Sequence, residues 1–371
     1  MLKSQLNIPV FSPPTNTKAK NKLTILTPCV QTKENKYLTC LWSSLSNYEV
    51  SVEAFKVDCF LSELITAKPH HKIIHLHWLA DLCYLKNNSR RKTISSCLAM
   101  IRNLLLLRLW GNKIVWTIHN THSHNHYFPR LETLLRWLLS RLAHDILVMS
   151  EYGRQEFQRM YRRSKRVHIV PHGNYIGSYP NQISRIDARQ NLGIASKQKV
   201  LLFFGMVRHY KGIDRLLAGL EQLQEPNVVL IIAGIPHDKD LCAEIEQAAK
   251  QDSRIRPQFK FIPDEDIQIY MNACDWVVLP YKKILNSASV LLASSYARPV
   301  IVPQRGAITE LINDGEQGYC YAKDSDLPVA INRALATSKE QWQQMCDRSY
   351  EFAKKYDWSK IGQKLYRIYS Q

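Results

Sequence analysis

Short apolar runs alternate with amphipathic stretches along almost the whole of this chain. The runs form two series of five, "KLTILTP", "KIIHLHW", "KIVWTIHN", "DILVMS" and "RVHIVPHG", then "KVLLFFG", "VVLIIAG", "FKFI", "DWVVLPY" and "PVIVP". Continuous hydrophobicity rich in Val and Ile is typical of parallel strands covered on both faces. Helices are predicted between them, for example over 212–223, 240–251, 264–273 and 288–297. The sequence therefore predicts an α/β fold with two doubly wound domains that face each other across a cleft.

The chain has 371 residues, which is too many for one ordinary core. The turn-rich stretch "YIGSYPNQISRIDARQNLGIASKQ" has no strong period and is predicted to contain the linker, around residues 175–197. The predicted divisions are a loose leader over 1–20, a first Rossmann-like domain over 21–180 and a second over 181–371. The C-terminal helices are candidates for crossing back to the first domain.

Basic residues are concentrated in the first half of the chain. Residues 1–190 contain 27 Lys and Arg against 11 Asp and Glu, whereas the remaining residues are almost balanced. This asymmetry predicts that the first half contacts an anionic partner. The nine cysteines include no C-x-x-C pair, which favours a reducing cytoplasm over a disulfide or zinc framework. There is no signal-peptide core, and no apolar run approaches the roughly 18–20 residues of a membrane span.

The stretch "FFGMVRHYKG" places a glycine and a cationic cluster where a buried strand ends and a helix begins. Ligands of doubly wound sheets bind at such carboxyl ends of strands. Gly205 allows close approach to the backbone, and Arg208 and Lys211 precede or begin a helix whose free N–H groups favour an anion. These residues therefore predict a site for nucleotide phosphates. A solvated basic loop is the structural alternative.

A second turn with free hydroxyls and amides follows the strand "DWVVLPY". Asn286, Ser287, Ala288 and Ser289 stand at the start of a predicted helix, where one serine would suffice as a cap. Glu310 begins the next helical stretch, and a capping carboxylate is its structural alternative. The D-x-D triplets of the chain have no further ligands near them, so no divalent metal site is predicted.

The succession "FFGMVRHYKGIDRLL", "IIAG", "FIPDEDIQIYMNACDWVVLPY", "NSASVLLASSYARPVIVP" and "GAITELINDGEQGYCY" resembles the nucleotide-sugar half of GT-B glycosyltransferases. The likeness is greatest to bacterial β-mannosyltransferase-like enzymes of exopolysaccharide synthesis, which are related to family 4. It extends into the first half through "IHLHW", "KIVWTIHNTHSHN", "AHDILVMSEYGRQEF" and "VPHGNY". It covers roughly residues 70–370.

The resemblance implies a metal-independent hexosyltransferase whose donor substrate is a nucleotide-sugar. GDP-mannose is the preferred donor by resemblance, and the residues named are also compatible with UDP-sugars. Its first domain would bind the acceptor and its second the donor. Arg208 and Lys211 would neutralise the departing nucleoside diphosphate. The implied donor-binding residues are Gly205, Arg208, Lys211, Asn286, Ser287, Ala288, Ser289 and Glu310. No cofactor is expected.

Three positions depart from the family pattern. Retaining family 4 enzymes usually carry two glutamates eight residues apart, where this chain has Leu285 and Ala293. The carboxylate that would hold the ribose is therefore missing, which implies different nucleotide recognition and favours an inverting reaction. Ala288 stands where relatives often have glycine.

The run "WTIHNTHSHNH" supplies candidates for acid–base chemistry in the first domain. Histidine has a suitable pKa for taking the proton of an acceptor hydroxyl, and His119, at the strand end, is the first candidate base, with His124 next. Asn120, His172 and Gly173 are predicted to contact the sugar or the acceptor. Backbone-bonded structural histidines are the alternative, and without a nearby Cys or acidic ligand a zinc site is not predicted.

Two predicted helices of the first domain combine leucines with cations. "CLAMIRNLLLLRLWGNK" carries Arg102 and Arg108, and "PRLETLLRWLLSRLAHD" carries Arg130 and Arg141 about three turns apart. This pattern suits an anionic membrane surface and a lipid-linked acceptor, and predicts a cytoplasmic protein peripheral on the inner face of a membrane. Core-facing helices with a solvated basic stripe are the alternative.

Two other functions are compatible with parts of this pattern. A nucleotide-sugar epimerase of the same fold would act on the sugar nucleotide alone and would not need the basic, leucine-rich helices. A non-enzymatic nucleic-acid-binding protein would explain a pI near 9.5. However, the charge surrounds leucine-rich helices without a recognition motif, so nucleic acid is not an expected partner.

Overall fold

A computed structural model describes five parts of the chain, residues 23–30, 36–67, 71–79, 89–120 and 128–371. The predicted leader over 1–20 and the second candidate base, His124, lie outside these residues.

Six parallel strands form the first sheet, in the order β2-β1-β3-β4-β5-β6. The strands are Leu23–Thr27 (β1), Val50–Ala54 (β2), Ile73–Leu76 (β3), Lys113–Thr117 (β4), Asp145–Val148 (β5) and Val167–Ile169 (β6). β3 and β5 are buried along their whole length, as continuous apolar runs predict. β2 lies at the sheet edge and none of its residues is fully buried, so no apolar run marks it in the sequence.

Five helices are described beside this sheet, and three of them begin with recognisable signals. The five are Tyr37–Ser43 (α1), Leu61–Ala67 (α2), Arg90–Leu109 (α3), Pro129–Leu142 (α4) and Glu151–Tyr161 (α5). The Ser89 hydroxyl caps α3 and the Ser150 hydroxyl caps α5, whereas α4 begins with a proline, whose missing N–H costs nothing there. None of the described helices is long and apolar enough to cross a membrane.

The second sheet is also parallel, in the order β12-β11-β10-β7-β8-β9. Its strands are Lys199–Phe204 (β7), Val228–Gly234 (β8), Ile255–Phe259 (β9), Trp276–Val278 (β10), Val300–Pro303 (β11) and Gly318–Tyr321 (β12). The predicted position of the strand at "FKFI" was wrong, because the strand lies earlier in the chain and includes only Phe259 of that stretch. β9 is an edge strand that tolerates Pro257, and this proline obscured it in the sequence.

Nine helices surround the second sheet or follow it. They are Arg185–Asn191 (α6), Ile213–Glu221 (α7), Lys239–Gln251 (α8), Ile267–Ala273 (α9), Ala288–Ser295 (α10), Ile308–Leu311 (α11), Leu327–Ala336 (α12), Lys339–Lys354 (α13) and Trp358–Tyr369 (α14). The four helices predicted in this half are present, with ends within three residues of those predicted. The prediction of two doubly wound α/β units is confirmed.

The last helix returns to the first sheet. Ile361, Leu365 and Tyr369 of α14 are buried in the same apolar cluster as Ile25 of β1 and Leu38 of α1. Gly362 permits this packing, because a Cβ atom there would lie 2.2 Å from the carbonyl oxygen of Ser44. α14 therefore fixes the two units against each other and brings the carboxyl ends of their strands together.

Candidate active site

The turn after β7 buries an ammonium group at the mouth of the cleft. Lys211 ends a 3₁₀ turn, His209–Lys211, and is only 8% exposed. Its Nζ lies 5.3 Å from the ring centroid of Tyr281. Desolvation alone would lower the pKa of Lys211, but the Tyr281 and Tyr210 hydroxyls outweigh it, and the pKa lies above its usual value. Lys211 therefore stays cationic.

Arg208 lies beside Lys211 and repels it electrostatically. The Arg208 Nε atom is buried and has no hydrogen-bond partner among the described residues. By contrast, the neighbouring His209 is already paired with the carboxylate of Asp240, 2.9 Å away. A buried guanidinium nitrogen without an acceptor is costly, so this pair of cations is suited to an anionic ligand.

Gly205 makes room for that pair. Its φ of +127° is rarely open to other residues, and an added Cβ would lie 3.3 Å from Lys211 Nζ. The close approach predicted at this glycine is therefore made, in this structure, by the ammonium group of Lys211.

The turn before α10 has a mixed role. The Ser287 hydroxyl caps α10 by accepting from the Val290 N–H at 3.2 Å, which is the structural alternative considered for it. Ala288 and Ser289 begin the helix, where backbone N–H groups have no intrahelical acceptor. The Asn286 amide instead reaches across the cleft and donates to the backbone carbonyl of His119, 3.0 Å away.

Glu310 also spans the cleft. Its carboxylate accepts hydrogen bonds from the backbone N–H groups of Glu151 and Tyr152, at 2.8 and 2.5 Å. The structure thus places Glu310 at the first turn of α5 in the other domain. Its predicted contact with the nucleotide stays a prediction.

Two imidazoles meet at the carboxyl ends of β3 and β4. His77 Nδ1 lies 3.0 Å from His119 Nε2, and Trp78 stacks on the His119 ring with centroids 4.3 Å apart. Burial, and to a lesser degree His77 and His172, hold the pKa of His119 well below its usual value. His119 is therefore a neutral imidazole, able to accept a proton.

A buried chain of hydrogen bonds lies beneath this pair. The His75 ring bonds the Thr117 hydroxyl at 2.7 Å through Nε2 and the Tyr369 hydroxyl at 2.6 Å through Nδ1. Burial lowers the pKa of His75 to about 3. Both histidines of "IHLHW" are buried. His75 is hydrogen-bonded to Tyr369 of the returning helix α14 and does not face the cleft.

The remaining predicted residues border the same site. The Asn120 carbonyl accepts from Arg136 Nη1 at 2.9 Å. The His172 ring is bonded to the Gly173 carbonyl at 2.7 Å, and burial lowers its pKa to about 4. A Cβ at Gly173 would lie 2.2 Å from the Trp358 ring, so this glycine is needed for packing against α14.

Two tyrosines of the site were not identified from the sequence. Tyr37 of α1 packs against His119 and His172, with ring centroids 5.1 and 4.8 Å away. Tyr281 faces Lys211. Both contacts join residues far apart in the chain, and no local pattern marks them. Within the described residues, no group of three or more His, Cys, Asp or Glu side chains is arranged to hold a metal ion.

Comparisons with known proteins show which enzymes this chain resembles in sequence and in fold. Residues 184–356 match the family model of glycosyl transferases group 1. The chain is 27% identical over 362 residues to GDP-mannose:glycolipid 4-beta-D-mannosyltransferase of Xanthomonas campestris pv. campestris, covering 96% of this chain and 95% of that protein. The structure of Anabaena HepE in complex with UDP and glucose has a TM-score of 0.72 at 18% identity, covering 94% of this chain and 99% of that one. This chain has the GT-B fold, and its second domain matches the glycosyl transferases of group 1.

A second solved glycosyltransferase has the same fold. WaaG, which is involved in lipopolysaccharide biosynthesis, has a TM-score of 0.64 at 18% identity and covers 93% of this chain and 99% of that one. The predicted fold class and enzyme class are thus confirmed. The family model spans the second domain of the glycosyltransferase, including the turns that carry Lys211 and Asn286. The roles of individual site residues stay predictions.

Proposed function

We propose that this glycosyltransferase transfers a hexose, with mannose from GDP-mannose preferred, to a saccharide or lipid-linked acceptor. The reaction inverts the anomeric carbon, needs no metal ion, and takes place on the inner face of a membrane. The observation that carries the proposal is the pair of cations, Arg208 and Lys211, without an acidic partner among the described residues, in a cleft that also holds the neutral His119. The similarity to a GDP-mannose-dependent enzyme over 96% of this chain supports the choice of donor.

The proposed reaction is a single displacement. His119 takes the proton of the acceptor hydroxyl while that oxygen forms a bond to the anomeric carbon. The bond from the anomeric carbon to the donor phosphate oxygen breaks, and its electron pair leaves with the nucleoside diphosphate. Arg208 and Lys211 stabilise the charge that develops on this leaving group.

Two departures from the retaining family 4 pattern support inversion. Leu285 packs against the core of the first domain, and Ala293 is fully buried. Neither position can supply the carboxylate that the resemblance leads one to expect there. A single displacement by an activated hydroxyl needs no such group.

An exposed apolar face of the first domain supports membrane attachment. Along α3 the side chains of Leu98, Leu105 and Leu109 are exposed, and on the neighbouring α4 so are Leu134 and Trp137. Arg102 and Arg108 are on the same α3 helix, and Arg130 and Arg141 are on α4. Apolar side chains clustered among cations favour the interface of an anionic bilayer over bulk water.

A thermal-shift panel tests the donor site. GDP, GDP-mannose, UDP, UDP-glucose and UDP-GlcNAc are added to the wild type, to Lys211→Met and to Lys250→Met, which removes an exposed cation of the same domain. A ligand that binds the native state raises its melting temperature. We expect guanine nucleotides to stabilise the wild type and Lys250→Met but not Lys211→Met. A higher melting temperature with UDP-sugars alone would mean that the donor is a UDP-sugar. Equal increases in all three proteins would contradict the phosphate site at Lys211.

A further inference from the structure

The bond between His77 and His119 constrains what His119 can do. A neutral imidazole carries one N–H donor and one bare nitrogen acceptor. Both histidines are neutral, because burial holds each pKa well below its usual value. One ring therefore donates across the 3.0 Å between His77 Nδ1 and His119 Nε2, and the other accepts.

Only one of the two arrangements leaves His119 able to act as a base. If His77 donates from Nδ1, then His119 carries its hydrogen on Nδ1 and presents a donor to the cleft. If His119 donates from Nε2, its Nδ1 is bare and can accept a proton. His119 is half-buried, and within the described residues its Nδ1 makes no hydrogen bond.

The second arrangement is favoured by the chemistry of the rings. It puts both histidines in the Nε2–H tautomer, which is intrinsically the more stable form of neutral histidine. The Nε2 atom of His77 is buried without a partner among the described residues. His77 also lines a cavity of about 40 Å³ together with Thr117, Asn120 and Arg136, which is room for one water molecule beside the ring.

The surroundings hold the His77 ring in place. His75 lies against it with centroids 4.3 Å apart, and Trp42 meets it edge-on at 5.6 Å. The other titratable groups that face the two rings are Tyr37 and His172. Arg136, at the cavity, is paired with the buried carboxylate of Glu132, 2.8 Å away. None of these contacts supplies a carboxylate to either imidazole, so the hydrogen bond between the rings sets which nitrogen of His119 carries the hydrogen.

We propose that His77 is a positioning residue, which holds His119 in the tautomer whose Nδ1 takes the proton of the acceptor hydroxyl. This inference rests on the proposed role of His119 as the base. When the acceptor O–H bond breaks, its proton forms an N–H bond at His119 Nδ1. The resulting imidazolium keeps its Nε2–H bond to His77 Nδ1, which stabilises the charge until the proton passes to solvent.

Substitutions at His77 separate this role from simple packing. His77→Leu removes the acceptor and fills the space, whereas His77→Asn keeps an oxygen near the position of Nδ1. A general base contributes about 10²–10⁴-fold to a rate, so we expect His77→Leu to lower kcat at least about tenfold, with KM for the donor unchanged. The acid limb of the kcat–pH profile should be displaced, because His119 loses its hydrogen-bond partner, and His77→Asn should restore most of both properties.

His75→Gln is the matched control. His75 is as buried as His77 but bonds Thr117 and Tyr369 and not His119, so its loss should affect stability without moving the acid limb. Equal impairment in His77→Leu and His77→Asn, or the same displacement of the acid limb in His75→Gln, would overturn the positioning role.

The tautomer is also measurable in the unmodified enzyme. ¹⁵N chemical shifts of the histidine rings distinguish a protonated from a bare nitrogen, and we expect His119 to be protonated at Nε2 and bare at Nδ1. The opposite assignment would overturn the inference even if every variant failed to fold. This measurement does not depend on turnover. An active His119→Ala enzyme would therefore refute the role of His119 as the base without changing what the tautomer measurement shows.

Discussion

The carboxylate of Glu310 accepts a hydrogen bond from the backbone N–H of Tyr152, 2.5 Å away, and thereby connects the second domain to the first. A second bond comes from the N–H of Glu151 at 2.8 Å. These two groups belong to the first turn of α5, where N–H groups lack intrahelical acceptors and the helix dipole favours a negative charge. The Glu310 side chain therefore holds the two domains together at the N-terminal end of α5.

Loss of this carboxylate should favour a more open molecule. Glu310→Ala removes the acceptor for both N–H groups, a contribution of about 1 kcal/mol for a carboxylate at a helix start. We expect a larger radius of gyration by small-angle X-ray scattering and little change in melting temperature. Glu316→Ala is the control, because among the described residues the Glu316 carboxylate accepts only from Asn313 and Gln317 of its own loop. An unchanged radius in Glu310→Ala would show that the contact does not hold the cleft closed.

The two cations of the phosphate turn should be needed for catalysis and not for folding. Arg208→Ala and Lys211→Met each remove a charge that stabilises the leaving group, and we expect kcat to fall by about 10²–10³-fold. Circular dichroism should remain that of the wild type. Steady-state assays with Lys250→Met as the surface control test this. Wild-type turnover in both variants would show that Arg208 and Lys211 do not stabilise the leaving group.

The glycine after Lys211 should tolerate no side chain. A Cβ at Gly212 would lie 1.9 Å from the Pro280 carbonyl oxygen, and its φ is +76°. Gly177 has a similar φ of +73° with nothing within 4 Å, so it isolates the effect of φ alone. We expect Gly177→Ala to cost about 1 kcal/mol and Gly212→Ala several times more, with loss of nucleotide binding. Equal unfolding free energies in urea would mean that Pro280 moves aside.

The sequence was most informative where local pattern and chemistry coincide. The turn from Gly205 to Lys211 could be proposed as a site because a buried strand, a glycine and two cations follow one another within ten residues. His119 could be proposed because a histidine follows the end of a strand. Both signals are contained in a few consecutive residues. The fold could be predicted for the same reason, because each strand and helix has its own local pattern.

Contacts between distant segments were beyond the reach of such patterns. The association of Tyr37 with His119, and of Tyr369 with His75, depends on the packing of α1 and α14 against the first sheet. Glu310 was expected on the nucleotide side, but its bond to α5 depends on the angle between the two domains. The strand β9 was misplaced because Pro257 resembles a strand breaker unless the edge position is known.

Buried histidines should make the fold sensitive to mild acid. The folded-state pKa of His75 is lowered to about 3, and that of His77 also lies well below its usual value. Below the ordinary histidine pKa of about 6.5 the unfolded chain binds protons that the folded chain does not, so stability falls as pH falls. Each such group contributes about 1.4 kcal/mol per pH unit in this range.

Unfolding in urea between pH 7.5 and 5.5 measures this slope. We expect the wild type to lose stability steadily toward pH 5.5 and His75→Gln to lose it less steeply, by about one proton. Stability that is constant or rises toward pH 5.5 would contradict the neutral state of these histidines.

The exposed leucines of α3 should bind the enzyme to anionic membranes. Leu109 is 80% exposed, and Leu105 lies one turn before it, with Arg108 between them. We expect co-sedimentation with vesicles containing phosphatidylglycerol, weaker binding to purely zwitterionic vesicles, and weaker binding at high salt. Leu105→Ser/Leu109→Ser should reduce binding about tenfold or more, because burial of each leucine contributes about 1.5–3 kcal/mol. Ile186→Ser/Val329→Ser removes two exposed apolar side chains from the second domain and should bind like the wild type. If both double variants bind equally well, the membrane face is not on α3.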